Sequence, residues 1–433
     1  MTVERRSAPR RWTALAVAAA VGLLSVTGCS GPDDSPPPAA PSEPALVPGF
    51  DGAAIHVGVI FPASGPLSEA AAERAFGLRA YLDYATTELA GAGGRYAIQV
   101  EVRDSSDLAE LDEQYAELRD RTVLLAQVDG GAALERLLPA LEDDGALAAV
   151  SAPITSSVRN PNLLPVGVPI ELVAANGLAW ALDPSGGKGD RAHVCSVAQD
   201  GFETAAWQDG VARAAERLGA ELPASVVVPR TAAAPGPLRG SVDRLRSAGC
   251  TTVMLDAGSV ATRALLEAAS SAGFEPRWVV PATSASGLLT DEDLAAYAAD
   301  HVVTVGDGPT TDEALGQSVA VHVRDLYAPG QPITPAFTSG LLLGKVVVAV
   351  LDDAARRGDL SRRALLADAA LRRSVGFDDL APDARFGPPA DRRPPGSSTI
   401  AVPDAGLASG LRSVAAKYSA PFAGDLLDEL LAR

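Results

Sequence analysis

Apolar residues recur along this chain in two alternating rhythms, short β-branched runs and longer stretches with helical spacing. The first run, Ile55-His56-Val57-Gly58-Val59-Ile60-Phe61, closes at Pro62 and predicts a buried strand. A helix is expected from about Ser68, with Leu78, Leu82, Ala85 and Leu89 along one face and a stop at Gly91-Ala92-Gly93-Gly94. Residues 96–103 then alternate apolar and polar, as a strand with one exposed face does. A helix near 107–120, a strand at 122–128, a helix at 131–143 and a strand at 146–151 continue the series. A second series opens at 171 with a helix to Leu182. It runs through strands at 192–197, 224–228, 251–256 and 277–281, separated by helices at 203–218, 238–248 and 260–272. One more strand, His301 to Val305, precedes helices near 312–326 and 336–357 and a less regular tail. The stretch 382–403 is rich in Pro, Gly and Arg and predicts loops with short strands. Strands joined through helices demand parallel pairing and right-handed crossovers, so each series predicts an α/β lobe. The folded part, starting near Ala53, is too long for one hydrophobic core, and two lobes are expected.

Ahead of that body the pattern changes. Arg5, Arg6, Arg10 and Arg11 precede an apolar, small-residue stretch from Thr13 to Thr27, and Val26-Thr27-Gly28-Cys29 has the form of a lipobox. Residues 1–28 therefore read as a lipoprotein signal peptide and Cys29 as the lipidation site. The apolar run is shorter than the roughly 20 residues a spanning helix needs. It is followed at once by Gly31-Pro32-Asp33-Asp34-Ser35-Pro36-Pro37-Pro38. Residues 29–52 are then a lipidated cysteine and a Pro-rich, semi-extended tether, which places the body outside the cytoplasm on the membrane's outer face. The chain carries a formal net charge of −18, and loss of a leader holding four arginines and one glutamate leaves it more acidic still. Such a surface repels nucleic acid and lacks the basic clusters that lie flat on anionic lipid.

The chain resembles the type I periplasmic binding proteins, and within them the receptors of branched-chain amino-acid importers of the Leu/Ile/Val-binding kind. The residues that carry this are Ile55 to Pro66, Gly93-Gly94, Arg103-Asp104, Ser151-Ala152-Pro153-Ile154-Thr155, Gln199-Asp200-Gly201-Phe202 and Ala272-Gly273-Phe274. The resemblance implies two Rossmann-like lobes with parallel sheets joined by a hinge, closing like a flytrap on a solute that is passed to an ABC permease. Expected boundaries are 53–168 for the first part of lobe 1 and 169–282 for the first part of lobe 2. The chain then returns to lobe 1 over 283–385 and to lobe 2, with the tail, over 386–433.

In open α/β sheets the binding crevice lies at the carboxyl ends of the strands, beside helix N-termini. That rule directs attention to Ser64, Asp129, Gly130, Gly131, Ser151, Thr155, Asp200, Phe202, Asp256 and Thr283 as ligand-binding positions. The chain departs here from the amino-acid receptors it resembles. Gly130 stands where they place a serine for the ligand carboxylate, and Pro153 stands where a backbone N–H would donate; Thr155 keeps its chemistry. On the other lobe the usual aromatic falls at Asp200 or shifts to Phe202, and the acid for a ligand ammonium falls near Ala261. Asp129, Asp200 and Asp256 suggest instead an acidic cleft suited to a cationic or polyhydroxylated solute, the plainer reading being that each caps a following helix.

Cys195 and Cys250 fall on strands expected to be neighbours. A disulfide in an oxidising compartment and two buried thiols at different heights are both open readings. No GxSxG, HExxH, CxxC or GxxxxGK[ST] motif occurs, and His56, His193, His301 and His322 lie far apart, so no catalytic residue, metal or cofactor is expected. The sequence thus predicts a non-enzymatic, lipid-anchored solute receptor of an ABC importer, with a small polar, amino-acid-like ligand. The rival readings are a transport-uncoupled sensor or scaffold with a degenerate cleft, and an exported α/β hydrolase.

Overall fold

The computed structural model describes residues 43–433 except 66, 90, 130, 185–192, 202, 286–287, 289–291, 309–318, 373, 379 and 408. The expectations for Cys29, Gly130 and Phe202 lie outside the described residues.

Lobe 1 opens with β1 (Ala54–Phe61), α1 (Ser68–Glu88), α2 (Ala92–Arg95), β2 (Ala97–Asp104), α3 (Leu111–Arg119), β3 (Leu124–Val128), α4 (Gly131–Asp143), β4 (Ala148–Ser151), α5 (Thr155–Val158) and β5 (Leu163–Val166). Its five strands lie in the order β2-β1-β3-β4-β5, all parallel. The β-branched run of β1 lies inside the sheet between β2 and β3 and is buried on both faces, with Ile55, Val57, Val59 and Ile60 at most 1% exposed.

Lobe 2 follows with α6 (Ile170–Ala181), β6 (Val194–Gln199), α7 (Thr204–Leu218), β7 (Ala224–Val228), α8 (Pro235–Ser247), β8 (Thr252–Asp256), α9 (Ser259–Ser271), β9 (Arg277–Pro281), α10 (Glu292–His301) and β10 (Val302–Gly306). The chain returns to lobe 1 for α11 (Val319–Tyr327), α12 (Pro335–Arg357), α13 (Arg362–Leu371) and the two-stranded pair β11 (Ser374–Val375) and β12 (Ala384–Arg385). It ends in lobe 2 with β13 (Ser398–Pro403), β14 (Leu411–Tyr418) and α14 (Ala423–Leu431). The second sheet has the order β14-β13-β10-β9-β8-β6-β7, parallel from β10 to β7, with β13 and β14 joined antiparallel at one edge.

Two differences from the sequence reading matter. β10 pairs with β9 from Val302↔Trp278 to Val305↔Pro281, so the return to lobe 1 comes after Gly306 and not at 283. The tail is also more ordered than expected. Its proline-rich stretch ends in β13, which forms a hairpin with β14, and the apolar face of α14 (Leu426, Leu427, Leu430, Leu431) packs into the core beside α6.

α12 is the one helix among the described residues long and apolar enough to cross a membrane, and it lies buried in lobe 1. Thr334 caps it, accepting from the Phe337 N–H at 3.1 Å, and Pro335 supplies the first turn. It crosses α1 at near backbone contact. A Cβ on Gly340 would lie 2.0 Å from the Arg74 carbonyl oxygen, and one on Gly77 would lie 2.0 Å from that of Phe337. These two glycines let the helices touch, and the contact fixes where Arg74 points.

Three chain crossings join the lobes, and each is pinned. Asp307, after β10, accepts the Val168 N–H at 2.9 Å and so ties the second crossing to the first. Buried Arg392, in the third, donates from Nη1 to the carbonyls of Val158, Asn160 and Leu163 and from Nε to Gly387. Asn176 of α6, fully buried, donates to Gly396 O and Ser398 Oγ and accepts from Ala420 N.

Cys195 and Cys250 form a disulfide, with Cα atoms 5.7 Å apart. The register pairs Val194 with Thr252, which would leave Cys250 beyond reach if it continued β8 as a straight strand. Gly249 turns the chain at φ +71° and the Cys250 N–H returns to Leu245 O, which curls the cysteine back towards β6.

Candidate functional site

The carboxyl ends of β1, β3 and β4 face those of β6, β8 and β9 across a cavity of about 420 Å³. Ser64, Asp129, Gly131 and Ser151 line it from lobe 1, and Asp200, Asp256 and Thr283 line it from lobe 2. Gly131 begins α4, and Ser259, also on the wall, begins α9, so two helix N-termini open onto the space.

Thr155 is not in this group. It is 4% exposed, and its backbone N–H donates to both carboxylate oxygens of Glu171, at 3.0 and 3.2 Å. The turn that follows β4 aims the cavity-facing surface through Ala152, Pro153 and Ile154 and tucks Thr155 behind them. Ala152 achieves this at φ 46°, in the left-handed region and directly before a proline, a backbone state held at some strain.

The side chain that organises the cleft is one the sequence reading passed over. Arg74 sits on α1 along the same face as Ala71 and Leu78, is 7% exposed, and pairs through Nη1 with Asp129 Oδ2. Gln127 Nε2 also donates to that oxygen at 3.2 Å. Arg74 Nε has no hydrogen-bond partner among the described residues. Its place on the Ala71 and Leu78 face of α1 was legible in the sequence, but its burial and direction were not. Glu203 and Arg230 were likewise missed; both line the lobe 2 wall.

Carboxylates are therefore interleaved with two arginines. Burial pushes Asp256 up to about 7, helped by the charge of Glu203. Burial also raises Glu203, and Asp129 adds to that, while Arg230 and the Gly131 N–H pull back. At neutral pH Asp256 can stand as a neutral acid able to donate a hydrogen bond. Behind Arg74 a second, smaller chamber of about 120 Å³ opens towards the hinge and shares Arg74, Ala152, Ile170, Asp256 and Thr283 with the first. Asp307 lines its back wall and is pushed up to about 6 by burial, against the pull of the Val168 N–H and Arg74.

The lobes also touch directly. Ser259 Oγ of α9 donates to Glu69 Oε2 of α1 at 3.0 Å, and Arg263 Nη2 lies 3.3 Å from the same oxygen. Among the described residues no cluster of three or more His, Cys, Asp or Glu could hold a metal ion.

Several solved structures share the architecture. A fatty acid ABC transporter substrate-binding protein from Thermomonospora curvata superposes with a TM-score of 0.78 at 19% identity, covering 88% of this chain and 96% of its own. A possible leucine/isoleucine/valine-binding protein from Rhodopirellula baltica SH 1 gives 0.72 at 15% identity, with coverage of 86% and 98%. An ABC transporter solute-binding protein from R. palustris, in complex with benzoate, gives 0.69 at 14% identity, with coverage of 85% and 97%. At such identities the likeness speaks for the fold. No curated protein matches the sequence. Residues 54–406 match the family described as periplasmic binding protein, and the chain belongs to that family, whose members bind solutes and are not catalytic.

Proposed function

We propose that the chain is the extracytoplasmic receptor of an ABC importer, held at the membrane by lipid on Cys29, which closes its lobes over a small solute and presents it to a permease. The observation that carries this reading is the cavity at the strand ends of both sheets, bridged at its rim by Glu69 from one lobe and Ser259 and Arg263 from the other. A site shared by two hinged lobes ties occupancy to closure, which is the signal a permease can read. The sharing of fold with receptors for fatty acids and for benzoate supports a solute-capture role and leaves the solute class open. The candidate contacts are Ser64, Asp129, Gly131, Ser151, Asp200, Asp256 and Thr283.

A second reading, an amino-acid-like zwitterion, draws on one observation. Asp256 and Glu203 lie together on the lobe 2 wall, where a ligand ammonium would pair. The test is a thermal-shift screen of the full chain against amino acids, small organic acids, polyamines and sugars, followed by small-angle scattering with any hit. A binder raises the midpoint by the equivalent of about 2.7 kcal/mol at one hundred times Kd. It should also reduce the radius of gyration. A hit that leaves the radius unchanged, or no hit in the panel, overturns the receptor reading in favour of a scaffold. For the anchor, Cys29→Ser should release the chain from membranes into the soluble fraction.

A further inference from the structure

We infer that the solute is a monocarboxylate with an apolar body, its carboxylate held by Arg74 and its body lodged in the chamber behind that residue. This rests on the receptor reading and specifies its ligand.

Arg74 supplies the head site. A guanidinium carries five donors in a planar fork. Nη1 is taken by Asp129, Nε has no hydrogen-bond partner among the described residues, and the side chain as a whole lines both cavities where they meet. Leaving a buried charged donor unmade is expensive, and a carboxylate is the group whose planar geometry matches a guanidinium that lines the space. The repulsion from Asp129 is offset by the α4 and α9 N-termini that open on the same space and by Asp256, which as a neutral acid donates to a carboxylate where its ionised form would repel one.

The rear chamber supplies the body site. Val168, Ile170, Val173, Ile333, Leu342 and Leu411 wall it from both lobes, and each is at most 8% exposed. Several of its polar groups are engaged elsewhere: Thr304 Oγ1 donates to Ala401 O, Thr334 Oγ1 donates to Glu73 and accepts from the Phe337 N–H, and Asp307 accepts from Val168; Thr338, Ser339 and Thr399 add hydroxyls to the wall. The wall is otherwise mostly apolar and encloses about 120 Å³. That is near the roughly 150 Å³ of a dry, apolar cavity able to take up benzene. A short alkyl chain or a single ring fits, whereas a sugar would set most of its hydroxyls against apolar side chains.

Calorimetry on the full chain tests this with butyrate, pentanoate, hexanoate and benzoate, with hexanol and leucine as controls. Affinity should rise about fourfold per methylene from butyrate to hexanoate, the increment for burying CH₂ groups. Benzoate should bind, hexanol should lose at least tenfold relative to hexanoate, and leucine, which brings an ammonium towards the apolar chamber, should bind more weakly than hexanoate. Arg74→Gln should reduce hexanoate to the level of hexanol. If that variant does not fold, the chain-length series and the hexanol comparison decide without it. Silence with all the acids while leucine, or a sugar from the thermal-shift panel, binds and closes the lobes overturns the inference and spares the receptor reading. Silence with every solute overturns both. A flat chain-length series with benzoate bound places the body outside the chamber and overturns the second half of the inference.

Discussion

Arg74 is where the chemistry of this cleft concentrates, and Asp256 is where its pH dependence should appear. In the unfolded chain Asp256 titrates near the ordinary 3.8, and in the folded one near 7. Between those values the folded state holds a proton that the unfolded state has released, so stability falls as pH rises through that window and the loss is complete above about 7. The groups facing it are Glu203, just before α7, Arg230, Arg74 of α1 and, behind them, Asp307. Asp256→Asn removes the titration, so the variant should lose less stability than the parent between pH 5 and pH 8. Urea midpoints at the two values check this, and equal losses would refute it. The same proton favours an anionic solute, so carboxylate affinity should weaken over that interval in the parent and stay level in the variant. At this scale the sequence was half legible. Asp129, Asp200 and Asp256 could be placed because strand-end positions follow from the β-branched runs. Arg74 could not, because its role depends on a helix contact made by residues about 260 positions later.

At the level of elements, the crossing of α1 and α12 controls the site from a distance. Gly340→Ala drives a methyl into the Arg74 carbonyl, and overpacking of that kind destabilises by about 1–3 kcal/mol. The displacement should also weaken solute binding, since it moves Arg74. A melting midpoint and a titration measure the two effects together. The third crossing depends on Arg392, whose guanidinium, lowered to about 10 by burial, is held by four carbonyls. Arg392→Met removes the buried charge but strands those acceptors, with an expected loss of about 3 kcal/mol in urea unfolding. Most of the longer helices and strands were readable because each carries its own periodicity and stop signal, such as Gly219 and Gly358 in left-handed caps, whereas the short α5 and β5 and the helix α10 were not expected. The tail was not. β14 alternates exposed and half-buried residues at a sheet edge, and its partner β13 follows a proline-rich stretch, so pairing across the sheet, more than local preference, makes these strands. The return of β10 to the second sheet is also a matter of long-range pairing that no local pattern announces.

For the molecule as a whole, the rim contact among Glu69, Ser259 and Arg263 biases the lobes towards closure. Its groups are partly exposed, so Glu69→Gln should weaken solute affinity by about fivefold at most and enlarge the ligand-free particle in small-angle scattering. The Cys195–Cys250 bond acts on a different motion. It closes a loop of sequence separation 55, worth about 4 kcal/mol on the chain-entropy account, and Cys195→Ser/Cys250→Ser should lose an amount of that order. Both cysteines are buried, Cys195 at 0% and Cys250 at 4% exposure, in the part of lobe 2 core bounded by α8 and α9. A reductant in solution cannot reach the sulfurs until that part of the lobe opens. The cystine is therefore a built-in clock: its reduction half-life under native conditions reports how often lobe 2 breathes. A solute that merely draws the lobes together leaves the clock unchanged, whereas one that stiffens lobe 2 itself slows it.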